Sequence, residues 1–210
     1  MRLILVRHGE TRLNREGRAQ GRTSEGLNPT GRRQALDLAR ALRKEPVDTL
    51  YSSPLPRALE TARIIGRAIG LPVRASKSLM ELDMGELDGL TMQALHGRYP
   101  DLMERWRLDP ASASMPGGET LANVQRRAWS WVLRVLRKHQ GATAVAVTHN
   151  FVIQALLCKA LGTPLSQFRR FRVDVGSMTI VRLDKESRGT RAVMLGLNST
   201  PPTEPRAART

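Results

Sequence analysis

The chain has 210 residues, of which 40% are hydrophobic and 25% are charged, as is typical of a soluble globular protein with one well-buried core. No apolar run reaches the roughly 18–20 residues that a membrane helix needs, which excludes a membrane-spanning class. The formal net charge of +15 would suit nucleic acid, an anionic surface or an anionic small molecule, but the arginines are scattered and only 4% of residues are aromatic, so we do not expect nucleic-acid binding.

The N-terminus and the cysteine content predict the compartment. The apolar stretch of residues 3–6 is too short for a signal peptide and ends at Arg7. Cys158 is the single cysteine of the sequence, so it has no internal partner for a disulfide. We therefore expect a protein of the reducing cytoplasm.

The first half of the chain alternates strand signals with helix signals. Short apolar runs predict strands, and the pairs Asn28-Pro29 and Ser53-Pro54 are typical helix starts, because Asn or Ser can cap a helix and Pro suits its first turn. The predicted elements are, in chain order, a strand at residues 2–6, a loop at 8–27, a helix at 28–44, a strand at 47–52 and a helix at 53–69.

The second half continues in the same way after an extended piece and a loop at residues 71–90. Its strongest signal is the apolar spacing of three and four between Leu121 and Leu136, which predicts a helix that Gly141 ends. The other predicted elements are a weaker helix at 91–106, a loop at 110–118, a strand at 143–148, a helix at 151–161 and two late strands at 177–183 and 191–197, joined as a hairpin around 187–189.

Strands that alternate with helices predict an α/β fold with a mostly parallel sheet. We expect one domain at residues 1–198, with residues 91–117 as a segment that caps the substrate, and a flexible tail at 199–210. In such sheets ligands bind beyond the carboxyl ends of the strands. His8 and His149 each follow a predicted strand directly, so we expect both to face one crevice although they lie far apart in the sequence.

Five motifs, taken in order, resemble those of one protein family. They are Val6-Arg7-His8-Gly9-Glu10-Thr11 with Asn14, Ser52-Ser53-Pro54-Leu55-Pro56-Arg57-Ala58-Leu59-Glu60-Thr61-Ala62, Leu79-Met80-Glu81-Leu82-Asp83-Met84-Gly85 with Asp88-Gly89, Pro116-Gly117-Gly118-Glu119-Thr120, and Val147-Thr148-His149-Asn150. The resemblance extends over about residues 1–185 and identifies the chain as a member of the histidine phosphatase superfamily, also called the phosphoglycerate mutase-like family. It implies a three-layer α/β/α sandwich.

The resemblance implies a metal-independent phosphatase that forms a phosphohistidine intermediate on His8. His149 would donate a hydrogen bond to the transferred phosphoryl group. Arg7 and Arg57 suit phosphate oxygens because a guanidinium group is planar and permanently charged. Arg57 also falls in the first turn of its predicted helix, where the helix dipole favours an anion.

Glu81 is the candidate general acid, because a carboxyl group kept protonated can donate its proton to the leaving alkoxide and later take one from water. Asp83 and Glu86 are rivals by residue type, and the family pattern selects Glu81 because it directly follows the Leu79-Met80 pair. The remaining expected phosphate or substrate contacts are Asn14, Gln20, Gly21 and Asn150.

We expect neither a metal ion nor a cofactor. Two histidines and a carboxylate could in principle bind zinc, but the histidines at positions 8, 96, 139 and 149 lack paired ligand spacing, and two arginines in the same pocket would repel a cation. The sequence departs from the common family form at Ser24-Glu25, where an Asp is frequent, so no substrate contact is carried over to that loop.

Cofactor-dependent phosphoglycerate mutases belong to the same family and are the main alternative. They resemble one another in a longer insertion before the Gly-Gly-Glu motif, which carries a lysine and paired arginines. Residues 89–117 form a short segment without lysine here, which favours water as the phosphoryl acceptor and therefore a phosphatase. A basic binding protein with a vestigial site is a third alternative, and the complete set of site residues argues against it.

The resemblance leaves the substrate open. We expect a small phosphorylated molecule and no membrane partner, and the candidates implied by the family are phosphoglycerate derivatives, sugar phosphates, ribazole phosphate and nucleotides. Assembly into a homodimer is equally left open by the sequence.

Overall fold

The computed structural model describes residues 1–187 and 189–201 of the chain. Its strands are β1 (Arg2–Arg7), β2 (Thr49–Ser52), β3 (Val73–Ala75), β4 (Thr143–Thr148), β5 (Met178–Glu186) and β6 (Gly189–Ser199). Its α-helices are α1 (Arg12–Arg15), α2 (Pro29–Leu42), α3 (Pro56–Ile69), α4 (Met92–Arg98), α5 (Pro100–Leu108), α6 (Leu121–Lys138) and α7 (Asn150–Ala160). Short 3₁₀ turns lie at Lys77–Leu79, Gly85–Leu87 and Leu165–Arg170.

Prolines explain where two helix predictions were wrong. The helix predicted from Ser53-Pro54 begins instead at Pro56, because a proline disfavours helical backbone in the residue before it, and Leu55 is accordingly extended. Ser53 therefore does not cap this helix. The single helix predicted at residues 91–106 is divided into α4 and α5 at Tyr99, since Pro100 has no N–H group to continue α4.

One α-helix and three 3₁₀ turns were not predicted, and two predictions extend beyond the described residues. The predicted loop at 8–27 contains α1, where Thr11 and Asn14 cap each other reciprocally, and the turn Leu165–Arg170 precedes β5. The predicted hairpin is formed by β5 and β6, with Arg188 outside the described residues. Most of the predicted tail, residues 202–210, also lies outside them.

The sheet places β1 and β4 side by side at its centre. Its strand order is β3-β2-β4-β1-β5-β6. The strands β3, β2, β4 and β1 run parallel to one another. β5 pairs antiparallel with β1, and β6 pairs antiparallel with β5. Arg7 is paired with Thr148 at the carboxyl ends of the two central strands. The residues that follow, His8 and His149, therefore leave the sheet at the same edge and next to each other.

Both faces of the sheet are covered by helices, which gives the three layers that the sequence implied. Leu3 and Leu5 of β1 belong to the apolar cluster with α6 and α7, whereas the alternating residues Ile4 and Val6 belong to the cluster with α2 and α3. This alternation follows from the two-residue period of a strand. In the part of the chain that the structure describes, the helices are too short or too polar to cross a membrane.

Glycine allows α2 to pack directly against the loop that carries His8. A Cβ atom on Gly31 would overlap the backbone oxygen of Glu10, and a Cβ atom on Gly9 would overlap the backbone of Gly31. The N–H of Asn28 also donates to the carbonyl of Glu10 at 3.0 Å. The first turn of α2 thus fixes the backbone beside His8.

We predict that Gly31→Ala lowers the free energy of unfolding by about 1–3 kcal/mol, because the added methyl group meets backbone atoms that cannot move aside independently. Gly97→Ala is the matched control, since it lies within α4 with open space around its Cβ direction and alanine favours a helix. Urea unfolding of both variants measures the difference. Equal stabilities of the two variants would contradict the packing described for α2.

Candidate active site

The two central strands bring two histidine rings together. The ring centroids of His8 and His149 are 5.1 Å apart. The backbone N–H of His8 donates to the carbonyl of Thr148 at 3.1 Å, which continues the pairing of β1 and β4 by one residue. Both side chains are almost completely buried. The strand pairing thus sets the separation of the rings, without any contribution from flexible loops.

Two hydrogen bonds fix the tautomer of His8. Its Nδ1 lies 2.7 Å from the carbonyl oxygen of Gly9, which can only accept, so Nδ1 carries the proton. Arg57 donates from Nε to the other ring nitrogen, Nε2, at 3.2 Å, so Nε2 presents a lone pair. Burial lowers the pKa of His8 well below its usual range, and the charges of Arg57 and Arg7 lower it further. His8 is therefore a neutral imidazole whose Nε2 lone pair accepts from Arg57.

Arg57 is fully buried and makes no ion pair at contact distance among the described residues. It is the second residue of α3, and it donates to the carbonyls of Gly21 at 2.6 Å and Thr23 at 3.2 Å. Burial lowers its pKa to about 10, so the group stays charged at neutral pH. A buried charge that is met only by neutral acceptors favours an added anion.

Arg7 supplies a second cation beside His8. Its Nη1 donates to the carbonyl of Val173 at 2.6 Å, and burial lowers its pKa. Its Nε is buried and has no hydrogen-bond partner in the described part of the chain. Arg7 thus has donor capacity left over for an anion.

Glu81 is buried at the N-terminus of α7. Its Oε1 accepts from the N–H of Leu82 at 2.8 Å, and its Oε2 accepts from the N–H of Phe151 at 3.3 Å. Burial raises the pKa of Glu81, although these two bonds and the charges of Arg57 and Arg7 oppose the rise. The carboxyl group therefore holds its proton to higher pH than a solvated glutamate.

The rival acids are engaged elsewhere. Asp83 forms an ion pair with Arg22 at 2.8 Å, and Glu86 accepts from the hydroxyl group of Tyr99 at 3.1 Å. Glu81 lines the large cleft described below, and neither Asp83 nor Glu86 does so in the described structure. The geometry thus favours Glu81 among the three carboxyl groups.

His149 is oriented by Ser53, which sequence reasoning had assigned only to a helix cap. The hydroxyl oxygen of Ser53 lies 2.8 Å from Nε2 of His149, and the same oxygen accepts from the N–H of Leu55 at 3.3 Å. Burial and then the charge of Arg57 lower the pKa of His149 well below its usual range. Its Nδ1 is buried and has no partner among residues 1–187 and 189–201.

Three of the other four expected contact residues line the same cleft. Asn14 accepts from the N–H of Thr11 at 3.2 Å, and Asn150 donates to Gln154 at 3.1 Å. Gln20 accepts from the hydroxyl group of Thr11 at 3.0 Å, and its Nε2 donor is buried without a partner in the described residues. All three side chains line the cleft.

Gly21, the fourth of these residues, is not part of the described cleft lining. It accepts from Arg57 through its carbonyl oxygen, and its N–H donates to Asp88 at 2.7 Å. Asp88 also accepts from the N–H groups of Arg22 at 2.9 Å and Thr23 at 3.0 Å. The loop that holds Arg57 is therefore itself held by Asp88, whose role the sequence did not indicate.

The cleft has a volume of about 1170 Å³ and contains Arg7, Glu81 and Asn150 in its lining. His8, Arg57 and His149 do not line it, since each is at most 3% exposed. Two of them adjoin lining residues in the chain, because His8 follows Arg7 and His149 precedes Asn150. Within residues 1–187 and 189–201, no three or more His, Cys, Asp or Glu side chains are grouped so as to hold a metal ion.

Comparison with known proteins finds one matching family and several similar proteins. A model of the family described as histidine phosphatase superfamily (branch 1) matches residues 3–195. Phosphoserine phosphatase 1 of Hydrogenobacter thermophilus is 36% identical over 200 residues, which are 95% of this chain and 93% of that protein. Phosphoglycerate mutase-like protein 4 of Arabidopsis thaliana is 35% identical over 185 residues, with 82% of this chain and 80% of that protein covered. A mycobacterial glucosyl-3-phosphoglycerate phosphatase, solved in complex with VO3, superimposes with a TM-score of 0.87 at 28% identity and covers 94% of this chain and 99% of that one.

We predict that Glu81→Gln becomes more stable relative to the unmodified protein as the pH rises. The pKa of Glu81 is raised on folding, so the carboxyl group stabilises the fold below its ordinary pKa of 4.5 and loses that contribution as the pH rises through the folded value. The difference changes by at most about 1.4 kcal/mol per pH unit. Urea unfolding between acid and neutral pH measures it.

The matched control for this prediction is Glu16→Gln. Hydrogen bonds from Arg12 and Arg18 lower the pKa of Glu16, so its removal has the opposite dependence on pH. A constant difference in unfolding free energy between Glu81→Gln and the unmodified protein across the pH range would show that the pKa of Glu81 is not raised.

Proposed function

The chain belongs to the histidine phosphatase superfamily and is a phosphatase, and from this premise we propose that it hydrolyses small phosphate monoesters through a phosphohistidine intermediate on His8, without a metal ion. The observation that carries this proposal is the state of His8: a neutral ring whose unprotonated Nε2 accepts from the buried guanidinium of Arg57. A nucleophile needs that lone pair, and a phosphate group needs that cation.

Unused donors around His8 support phosphate binding. Arg7 Nε, Gln20 Nε2 and His149 Nδ1 are all buried and lack partners in the described residues. Buried polar groups are normally hydrogen-bonded, so three such atoms in one site indicate a ligand that accepts. The hydroxyl group of Ser53 can donate to Nε2 of His149, which leaves the proton on Nδ1 for a phosphoryl oxygen.

In the first step, the N–H of Arg57 moves from Nε2 of His8 to a phosphoryl oxygen. The freed lone pair of Nε2 attacks phosphorus while the bond from phosphorus to the ester oxygen breaks. The Nδ1–H group stays bonded to Gly9, which stabilises the positive charge that the ring acquires. Arg57 and Arg7 compensate the charge on the phosphoryl oxygens. Glu81 gives its proton to the departing alkoxide, and such general acid catalysis contributes about 10²–10⁴ in rate.

In the second step, water attacks the phosphoryl group from the side that the alcohol has left. Glu81, now ionised, takes a proton from this water while the bond from phosphorus to Nε2 breaks. Inorganic phosphate departs, and His8 returns to its neutral form with Glu81 protonated. The raised pKa of Glu81 favours a protonated acid, and the lowered pKa of His8 favours a neutral nucleophile. Both directions match these starting states.

The segment of residues 91–117 is proposed to cap the substrate within a single domain of residues 1–198. Met92, His96, Met103, Trp106 and Met115, all from this segment, line the cleft. Closing a site in this way excludes bulk water and strengthens the electrostatic contacts inside it. We also propose a cytoplasmic location, since the buried Cys158 is the single cysteine of the sequence.

We predict that His8→Ala lowers the hydrolysis of p-nitrophenyl phosphate by at least about a thousandfold, because the nucleophile is lost. A chelator should leave the unmodified enzyme unaffected, since two arginines occupy the place where a cation would have to sit. His139→Ala is the matched control, because His139 bonds Tyr51 at 3.0 Å and does not line the cleft. Retained activity in His8→Ala would overturn the proposed mechanism.

A phosphoglycerate mutase is the second candidate, favoured by the likeness to the mutase-like protein of Arabidopsis thaliana. We predict that 3-phosphoglycerate with a trace of 2,3-bisphosphoglycerate yields free phosphate at most and no rapid isomerisation, because residues 89–117 contain no lysine to retain the bisphosphate. Enzymatic detection of 2-phosphoglycerate distinguishes the two activities. Rapid formation of 2-phosphoglycerate would show that the chain is a mutase and would overturn the proposed hydrolysis.

A further inference from the structure

The rare aromatic residues of this chain are concentrated in the cleft. Only 4% of the residues are aromatic, yet all three phenylalanines of the sequence, Phe151, Phe168 and Phe171, line the cleft together with Trp106. Four of the eight methionines line it as well. The lining is mainly apolar, although the phosphate groups expected beneath it are charged. Such a concentration is not needed to hold a phosphate group.

Three of these rings form one packed wall. Trp106 and Phe151 meet edge to face with ring centroids 5.6 Å apart, and Phe168 packs against both at 5.5 Å and 5.9 Å. Arg169 donates to the carbonyl of Trp106 at 3.1 Å and lies over Phe168, 4.5 Å from its ring centroid. Phe168 is buried behind the other two rings, whereas Trp106 and Phe151 remain partly exposed. The wall is thus rigid and open to the cleft.

Phe151 connects the wall to Glu81, the proposed general acid. The N–H of Phe151 donates to Glu81, so the backbone of this residue lies beside the group that serves the leaving oxygen. Phe151 is also part of the cleft lining. Whatever alcohol departs from phosphorus therefore leaves along the aromatic wall.

The charged groups of the cleft do not suit the ammonium group of an amino-acid alcohol. Within the described structure, Glu81 and Glu104 are its carboxylate side chains. Glu81 is occupied by two backbone N–H groups, and Glu104 accepts two bonds from Arg107 at 2.6 Å and 2.9 Å. An ammonium group would find no free carboxylate there and would face Arg169 and Arg172. The volume of about 1170 Å³ also far exceeds what a serine side chain fills.

We propose that the preferred substrates are phosphate monoesters of large, flat, apolar alcohols or phenols, and that Trp106, Phe151 and Phe171 form the surface that binds them. The proposal rests on the hydrolysis at His8 proposed above and names the substrate class for that site. It separates this chain from its relative named phosphoserine phosphatase. Apolar contact with the wall supplies binding free energy that a small polar alcohol cannot provide.

The test compares two pairs of substrates in which the chemistry of the leaving group is matched. 2-Naphthyl phosphate and phenyl phosphate release phenols of similar acidity, and 2-phenylethyl phosphate and O-phosphoserine both release alkoxides. We expect kcat/KM to be about tenfold or more higher for the larger apolar member of each pair, mainly through a lower KM. Equal values within the pairs, or a preference for O-phosphoserine, would overturn the proposal.

Trp106→Ala should lower kcat/KM for 2-naphthyl phosphate by about tenfold and change that for O-phosphoserine much less, because it removes wall surface and no polar group. Trp129→Ala is the matched control, since Trp129 is also half-buried but belongs to α6 and does not line the cleft. An equal loss on all four substrates would show that Trp106 is only structural and would overturn its assigned role.

The outcomes separate this inference from the proposed function. If the unmodified enzyme hydrolyses p-nitrophenyl phosphate but shows no preference within either pair, only the assigned substrate class fails. If it hydrolyses none of these esters, the proposed function fails and the inference fails with it. The comparison within the unmodified enzyme needs no variant, so it decides the matter even if Trp106→Ala does not fold.

Discussion

The burial of a charged arginine against a neutral histidine is the interaction on which the site depends. Arg57 is fully buried, yet in the described part of the chain its hydrogen-bond acceptors are His8 and two backbone carbonyls. Water would solvate this charge better than these acceptors do, so the folded protein maintains an unfavourable state that an anion relieves. The same contact keeps Nε2 of His8 unprotonated beside the place where that anion would bind. One arrangement therefore prepares both the binding of phosphate and its transfer.

Backbone contacts hold the residues of this arrangement in place. The adjacent parallel strands β1 and β4 set the positions of His8 and His149, and close packing of Gly31 on Glu10 fixes the loop after β1. Asp88 accepts three backbone N–H groups and so holds the loop whose carbonyls receive Arg57. A site built on such contacts changes little when the substrate binds, which is what electrostatic stabilisation of a transition state requires.

The sequence predicted the parts of the structure that depend on local periodicity and on strand ends. The central strands, α2 and α6 were placed within a few residues, and the meeting of His8 with His149 followed from the strand-end rule. The contacts of Ser53 and Asp88 were not predictable, because each acts on residues that are distant in sequence, and no periodic pattern marks them. The aromatic wall was missed for the same reason: Phe168 lies in a 3₁₀ turn, and it meets Trp106 only in the folded chain.

The covalent intermediate on His8 is the central claim, and its most direct test is to trap it. The enzyme is mixed with p-nitrophenyl phosphate, quenched rapidly in alkali, where phosphohistidine survives, and digested for peptide mass spectrometry. The account predicts one added phosphoryl group on the peptide that contains His8, assigned to that residue by fragmentation. A phosphoryl group on His149 or on any other residue, or no labelled peptide during steady turnover, would contradict it.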